Sequence, residues 1–180
     1  MSHGIIKNTD FAYVGEKAWH GLGLTPKSGE ITRHWLESQT TFCQHIAKMP
    51  YQIEGVDSKQ VFYLKNGNDV IREGVGKDYT VLQCNEILDI AEPLMRKYHV
   101  ETAGVLFNGL EVFIVFKLRD NVVVGNKDVV DNYVVLWDSR SGRAPKLYLT
   151  PVRVVCNNTL QLSLSQIKAQ SKPLRHTPNY

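Results

Sequence analysis

The stretch V-E-T-A-G-V-L-F-N-G-L-E-V-F-I-V-F-K-L, Val100 to Leu118, decides the fold. Two apolar runs, Val100–Phe107 and Leu110–Leu118, flank Asn108-Gly109. Asn-Gly readily adopts the positive φ angles of a tight turn, so the runs are expected to pair as an antiparallel hairpin. Each run has the length of a strand and falls far short of the ~18 apolar residues of a membrane span.

The same pattern recurs on both sides. Toward the C-terminus, Val129–Trp137 and Lys146–Val155 read as two strands joined by the loop Asp138–Pro145, with Ser141-Gly142 as its turn. Toward the N-terminus, Phe42–Lys48 is β-like, and Tyr51–Val56 and Gln60–Lys65 alternate apolar with charged residues. Asn66-Gly67 marks a second hairpin, with Val70–Val75 pairing back. Helical spacing appears in three places. Gly29–Thr40 carries Ile31, Trp35 and Leu36 behind a Ser28 cap. Asn85–His99 carries Ile87, Leu88, Ala91, Leu94, Met95 and Tyr98 behind Asn85, and Pro93 should kink or split it. The last helix starts at Asn157, Asn158 or Thr159, carries Leu160, Leu164 and Ile167, runs to about Gln170 and stops before Pro173.

Hairpin-joined strands with few helices between them predict an α+β fold, a single domain with a mainly antiparallel sheet of hairpins and two to three packed helices. The expected organisation is an irregular N-terminal arm over residues 1–30, an α+β core over 31–172 and a C-terminal tail over 173–180, truncated before a further helical region. A chain of 180 residues suits one domain better than two.

Composition narrows the function classes. Cys43, Cys84 and Cys156 are an odd, widely spaced set without a Cys-x-x-Cys, as expected of free, buried thiols in a reducing cytoplasm. No signal-peptide core follows the N-terminus, and no membrane partner is expected. Charge is strongly uneven. Residues 1–138 hold 14 Lys and Arg against 18 Asp and Glu, whereas residues 139–180 hold seven basic residues and no acidic one. Such asymmetry points to an anionic partner; the alternative is a solvated surface whose acids come from elsewhere in the fold.

Motifs for bond chemistry are missing. Gly21-x-Gly23 and Gly74-x-Gly76 lack the rest of a nucleotide-binding fingerprint. Cys43 and His45, on one face of an expected strand, make only half a zinc site, and the other ligands would have to come from His20, His34 or Cys84. Cys156 with His176 or His20 is the one nucleophilic arrangement available, in an apolar setting that would raise the thiol pKa. No catalytic residue, metal or cofactor is therefore assigned.

The basic segment offers more. Arg140 and Arg143 flank the Ser141-Gly142 turn beside the hydroxyls of Ser139 and Ser141, a loop suited to holding a phosphate. Arg153 falls on a strand and Lys146 just before one. Lys168, Lys172 and Arg175 are spaced i, i+4, i+7, and the two lysines share a face if the helix continues through Lys172. Trp137 and Tyr148 border the segment and can stack on bases; core packing is the other role open to both. In the N-terminal Ala18-Trp-His-Gly-Leu-Gly-Leu24, the glycines permit a sharp turn and Trp19 is read as a buried anchor for the arm, with His20 facing a ligand as the alternative.

Several stretches also resemble a family known as phage/plasmid-like protein, a domain of unknown function found in phages, prophages and plasmids. They are Trp19-His20-Gly21-Leu22-Gly23; Tyr79, Gln83 and Asn85; Ala103-Gly104-x-Leu106 with Gly109; Asp138-Ser139-x-x-Gly142; Pro151-Val-Arg-Val-Val-Cys-x-Asn-Thr-Leu160; and Arg175-His176-Thr177. The resemblance implies a mobile-element setting, where replication, annealing and host defence are common tasks, and brings no established activity. The order of strands and helices is loosely similar to Rad52-type annealing proteins, which form rings on DNA; that likeness implies a homo-oligomer. The expectation is a non-enzymatic accessory protein binding nucleic acid, single-stranded DNA above all, through Arg140, Arg143, Lys146, Arg153, Lys168, Lys172 and Arg175. The rival is a protein–protein module, such as an inhibitor of a host defence complex, with a host protein as partner.

Overall fold

The structure, a computed structural model, describes residues 4–119, 122–124, 128–167 and 172–173. In chain order its elements are β1 (Phe11–Tyr13), α1 (Arg33–Ser38), β2 (Ile46–Ile53), β3 (Val56–Asn66), β4 (Asp69–Gly76), α2 (Cys84–Met95), β5 (His99–Leu106), β6 (Glu111–Lys117), β7 (Val122–Val124), β8 (Asp128–Val130), β9 (Tyr133–Ser139), β10 (Arg143–Thr150), α3 (Asn157–Ser165) and β11 (Lys172–Pro173). The larger sheet has the order β1-β5-β6-β9-β10-β11; β2-β3-β4 form a second sheet and β7-β8 a small ribbon. All three sheets are antiparallel. The fold is α+β, as the hairpin pattern predicted.

The β5–β6 hairpin forms where Asn108-Gly109 places it, with Gly104 opposite Phe113 and Asn108 at φ 55°. It lies inside the larger sheet, which explains its unbroken apolar runs: both faces are covered. On one face Val112, Ile114, Phe116 and Leu136 pack under Leu36 of α1 and Ile87, Leu88 and Ala91 of α2. On the other, Phe113, Val115, Val135, Trp137 and Tyr148 pack under Leu160 of α3 and under Ile5, Phe11 and Ala18 of the arm. Each large side chain so buried contributes about 1.5–3 kcal/mol. Gly104 is required by close approach: a Cβ there would lie 2.7 Å from Cζ of Phe113.

The smaller sheet keeps its own core of Ile46, Leu64, Val75 and Val81. Amide side chains tie it to the main body. Gln83 accepts from the Ile46 N–H (3.1 Å) and donates to its carbonyl (2.9 Å), standing in for a strand neighbour. Asn66 donates to Gln44 Oε1 (2.7 Å) and to the Asn108 carbonyl (2.9 Å).

Several boundaries differ from the sequence reading, each for a local reason. The first helix starts at Arg33 because Thr32, not Ser28, accepts from the Trp35 N–H. Phe42–Gln44 is not strand, and β2 then runs unbroken through Tyr51 to a turn at Glu54-Gly55, both at positive φ. Gln83 rather than Asn85 caps α2, and Pro93 falls so late that the helix simply ends two residues beyond it. Helix α3 stops at Ser165, and Lys172–Pro173 instead pairs with Leu147 and Lys146. Residues 151–156 are irregular rather than strand, because Thr102 Oγ1 on β5 donates to the Val154 carbonyl (2.6 Å) in place of a ladder. Cys43 and Cys84 are joined as a disulfide, with Cα atoms 4.9 Å apart, which corrects the expectation of three free thiols; Cys156 alone is free, and it is buried. Among the described residues no helix is long and apolar enough to cross a membrane.

Candidate nucleic-acid interface

The basic segment divides into three structural groups. Arg140 is interior, 2% exposed. Its guanidinium donates to the carbonyls of Gly109 and, at 3.0 Å, Leu82. It therefore links the β5–β6 turn to the approach of α2, with the buried Asp138 carboxylate as a favourable charge nearby. Burial pushes the guanidinium pKa down, yet an arginine keeps its proton. Trp137 and Tyr148 are 1% and 2% exposed. Trp137 Nε1 donates to Glu111 Oε2 (3.3 Å), the Tyr148 hydroxyl lies 2.8 Å from Ser163 Oγ, and burial raises the phenol pKa to about 12. All three were expected at a ligand surface. They are packed instead: Trp137 on β9 and Tyr148 on β10 alternate onto the face that α3 and the arm cover, and Arg140, just after β9, is enclosed by the carbonyls it bonds.

Arg153 forms the second group. Its Nε is 2.8 Å from Glu101 Oε1, and Nη2 donates to the carbonyls of Val14 (3.3 Å) and Glu16 (2.7 Å). A carboxylate from the acidic part of the chain neutralises it, and its work is to fasten the arm.

The third group lies at the sheet edge. Arg143 opens β10 opposite Ser139, is exposed, and lowers the carboxyl pKa of neighbouring Glu111, which burial raises more strongly. Lys146 sits opposite Trp137, half-buried, with Nζ 5.8 Å from the indole centroid. Lys172 is on the edge strand opposite Leu147. The turn between β9 and β10 adds Ser139 and Ser141, whose hydroxyls are 2.6 Å apart. Arg143 and Lys146 lie along β10, opposite Ser139 and Trp137, and Lys172 occupies the neighbouring strand at the position opposite Leu147; Lys168 and Arg175 lie outside the described residues.

The residues weighed for bond chemistry are placed as follows. Cys43 is tied to Cys84, so the half zinc site does not assemble, and no group of three potential metal ligands occurs among the described residues. Cys156 Sγ is 3.7 Å from Thr159 Oγ1 and fully buried. His176 lies outside the described residues. His20 Nε2 is 3.0 Å from the Val155 carbonyl, and its Nδ1 accepts from the Leu22 N–H (3.1 Å), so the ring pins the arm rather than a thiol.

That last finding reverses the reading of the Trp-His pair. Trp19, expected as the buried anchor, is 68% exposed, and His20 is the half-buried member. Ring size favoured burying the indole. The deciding factor is the bond with Val155, 135 positions away, which no local pattern signals. Gly23 completes the turn at φ +123°, where a Cβ would lie 2.6 Å from the Phe11 ring.

No curated protein and no solved structure matches the chain. A family model does, over residues 73–180, which takes in β5, β6, β9, β10, α2, α3 and the whole basic segment and leaves the N-terminal arm outside. On that match, covering more than half of its length, the chain belongs to the family described as Domain of unknown function (DUF932).

Proposed function

We propose that this domain is a non-enzymatic accessory protein that binds nucleic acid, single-stranded DNA in preference, at the β10–β11 edge. One observation carries the reading: Arg143 and Lys146 lie on β10 and Lys172 on β11 beside it, in a segment from residue 139 onward that contains no carboxylate side chain. Neighbouring cations repel one another weakly and gain when a phosphate chain adds negative charge between them. Arg140 and Arg153 take structural roles, so the expected contact is smaller than seven cations. The mobile-element setting rests on the resemblance in sequence to phage and plasmid proteins. Fluorescence anisotropy of a labelled oligonucleotide at low and moderate salt tests the reading. Binding that weakens steeply with salt supports it, and no binding at low salt ends it.

A second reading, a protein–protein module such as an inhibitor of a host defence complex, has one observation of its own. The smaller sheet exposes Met49, Ile53, Val56, Val61 and Val70, the last four at 46–70%. Exposed apolar residues gathered on one small sheet are a feature of partner surfaces. A host partner that stays bound after nuclease treatment, lost when Ile53 and Val56 become Ser, favours this reading.

A further inference from the structure

We propose that Trp19 is a stacking platform for one unpaired nucleobase, an inference that rests on the nucleic-acid reading above. The ring is presented rather than left over. His20, fixed by its contacts with Val155 and Leu22, lies against it edge to face, with centroids 5.6 Å apart at 72°. The same imidazole is 5.3 Å from the Phe11 ring, and Phe11 is buried in the core. Arg153 holds the preceding segment through the carbonyls of Val14 and Glu16. The arm is therefore clamped on both sides of an indole that points at solvent. Holding the backbone on both sides lowers the ordering cost of meeting a ligand through this ring.

The surroundings favour a base over a protein side chain. Tryptophans that dominate protein interfaces lie within desolvated apolar pockets. Around Trp19 the chain exposes Glu16, Lys17 and Gly21, while Ala18 is buried and Leu22 half-buried. A π-face amid polar neighbours suits a nucleobase, whose own edges remain hydrated. Position agrees as well. Ala18 and Leu22 pack on the core layer that also holds Trp137, over which Lys146 lies. Phe11, beneath His20, is on β1, and Lys146 is four strand spacings away on β10, about 19 Å across one face of the sheet. That face is covered by α3 and the arm, so a strand that meets both residues runs over them.

The test compares wild type, Trp19→Ala and Trp19→Phe on three labelled 15-mers: oligo-dT, oligo-rU, and an abasic deoxy strand with the same phosphates. Trp19→Ala should weaken oligo-dT binding roughly 5- to 150-fold, the range for loss of one stacked base. Trp19→Phe should recover part of that. Wild type should discriminate against the abasic strand by a similar factor, and Trp19→Ala should not. Oligo-rU differs from oligo-dT in the 2′-hydroxyl and in lacking the 5-methyl group: equal wild-type affinity for both strands supports stacking on the ring alone, and a preference for oligo-dT that survives in Trp19→Ala places that discrimination elsewhere while leaving the stacking contact supported by the abasic comparison. If wild type binds oligo-dT and Trp19→Ala binds it equally well, the stacking role is refuted while the edge interface stands. If wild type binds none of the strands at low salt, both fall. If Trp19→Ala instead abolishes only a nuclease-resistant association with a host protein, the indole is a protein contact and the inference is overturned.

Discussion

Replacing Arg140 with Ala separates structural from ligand-binding cations most sharply. The guanidinium is buried and donates to the Gly109 and Leu82 carbonyls. Its removal leaves two carbonyl groups without these donors and withdraws the cation from buried Asp138. Breaking a buried, hydrogen-bonded charge arrangement from one side costs about 3–5 kcal/mol. In a chain of this size each kcal/mol moves Tm by roughly 2–4 °C, so a fall of about 6–20 °C is expected. Urea unfolding followed by far-UV circular dichroism measures the loss, and anisotropy well below the transition measures binding. Affinity for oligo-dT should change less than twofold, with an unchanged salt slope. A stability loss under about 1 kcal/mol, or a fall in affinity with the fold intact, would refute the structural assignment of Arg140.

Other expectations follow from equally local features. Gly104→Ala places a methyl group 2.7 Å from the Phe113 ring in a fully buried site and should cost about 1–3 kcal/mol in the same unfolding assay. Reducing the Cys43–Cys84 bridge, which spans 41 positions, should lower stability by about 2–4 kcal/mol; unchanged unfolding in reductant would argue against the bridge. Burial raises the Glu111 carboxyl above its ordinary value of 4.5. The folded form then favours the protonated acid, so this contribution is complete below about pH 4.5 and fades as pH rises through the raised value. Glu111→Gln should remove that decline, giving a flatter stability profile from pH 4.5 upward, measured by Tm against pH.

The hairpins were legible because their determinants are local. Asn66-Gly67 and Asn108-Gly109 dictate turns whatever surrounds them, and the unbroken apolar runs of β6 and β9 report a sheet covered on both faces. What misled were decisions made at a distance. Nothing around Cys43 announces Cys84, nothing beside His20 announces Val155, and nothing near Arg153 announces Glu101. The same holds for the basic segment. Strand alternation can say that Trp137 and Lys146 share a face, but whether α3 and the arm cover that face is a tertiary fact. Arg140 illustrates the limit: one arginine beside a Ser-Gly turn reads as a phosphate ligand until the carbonyls of two remote segments close on it.

The salt dependence of oligo-dT binding, compared between wild type and the Arg143→Ala/Lys146→Ala/Lys172→Ala triple variant, tests the central claim most directly. Each phosphate contact on a single strand contributes about −0.7 to the slope of log K against log salt. The three edge cations should account for a slope difference of about 2, with the fold unchanged. Equal slopes and equal affinities for the two proteins would contradict a nucleic-acid interface at the β10–β11 edge.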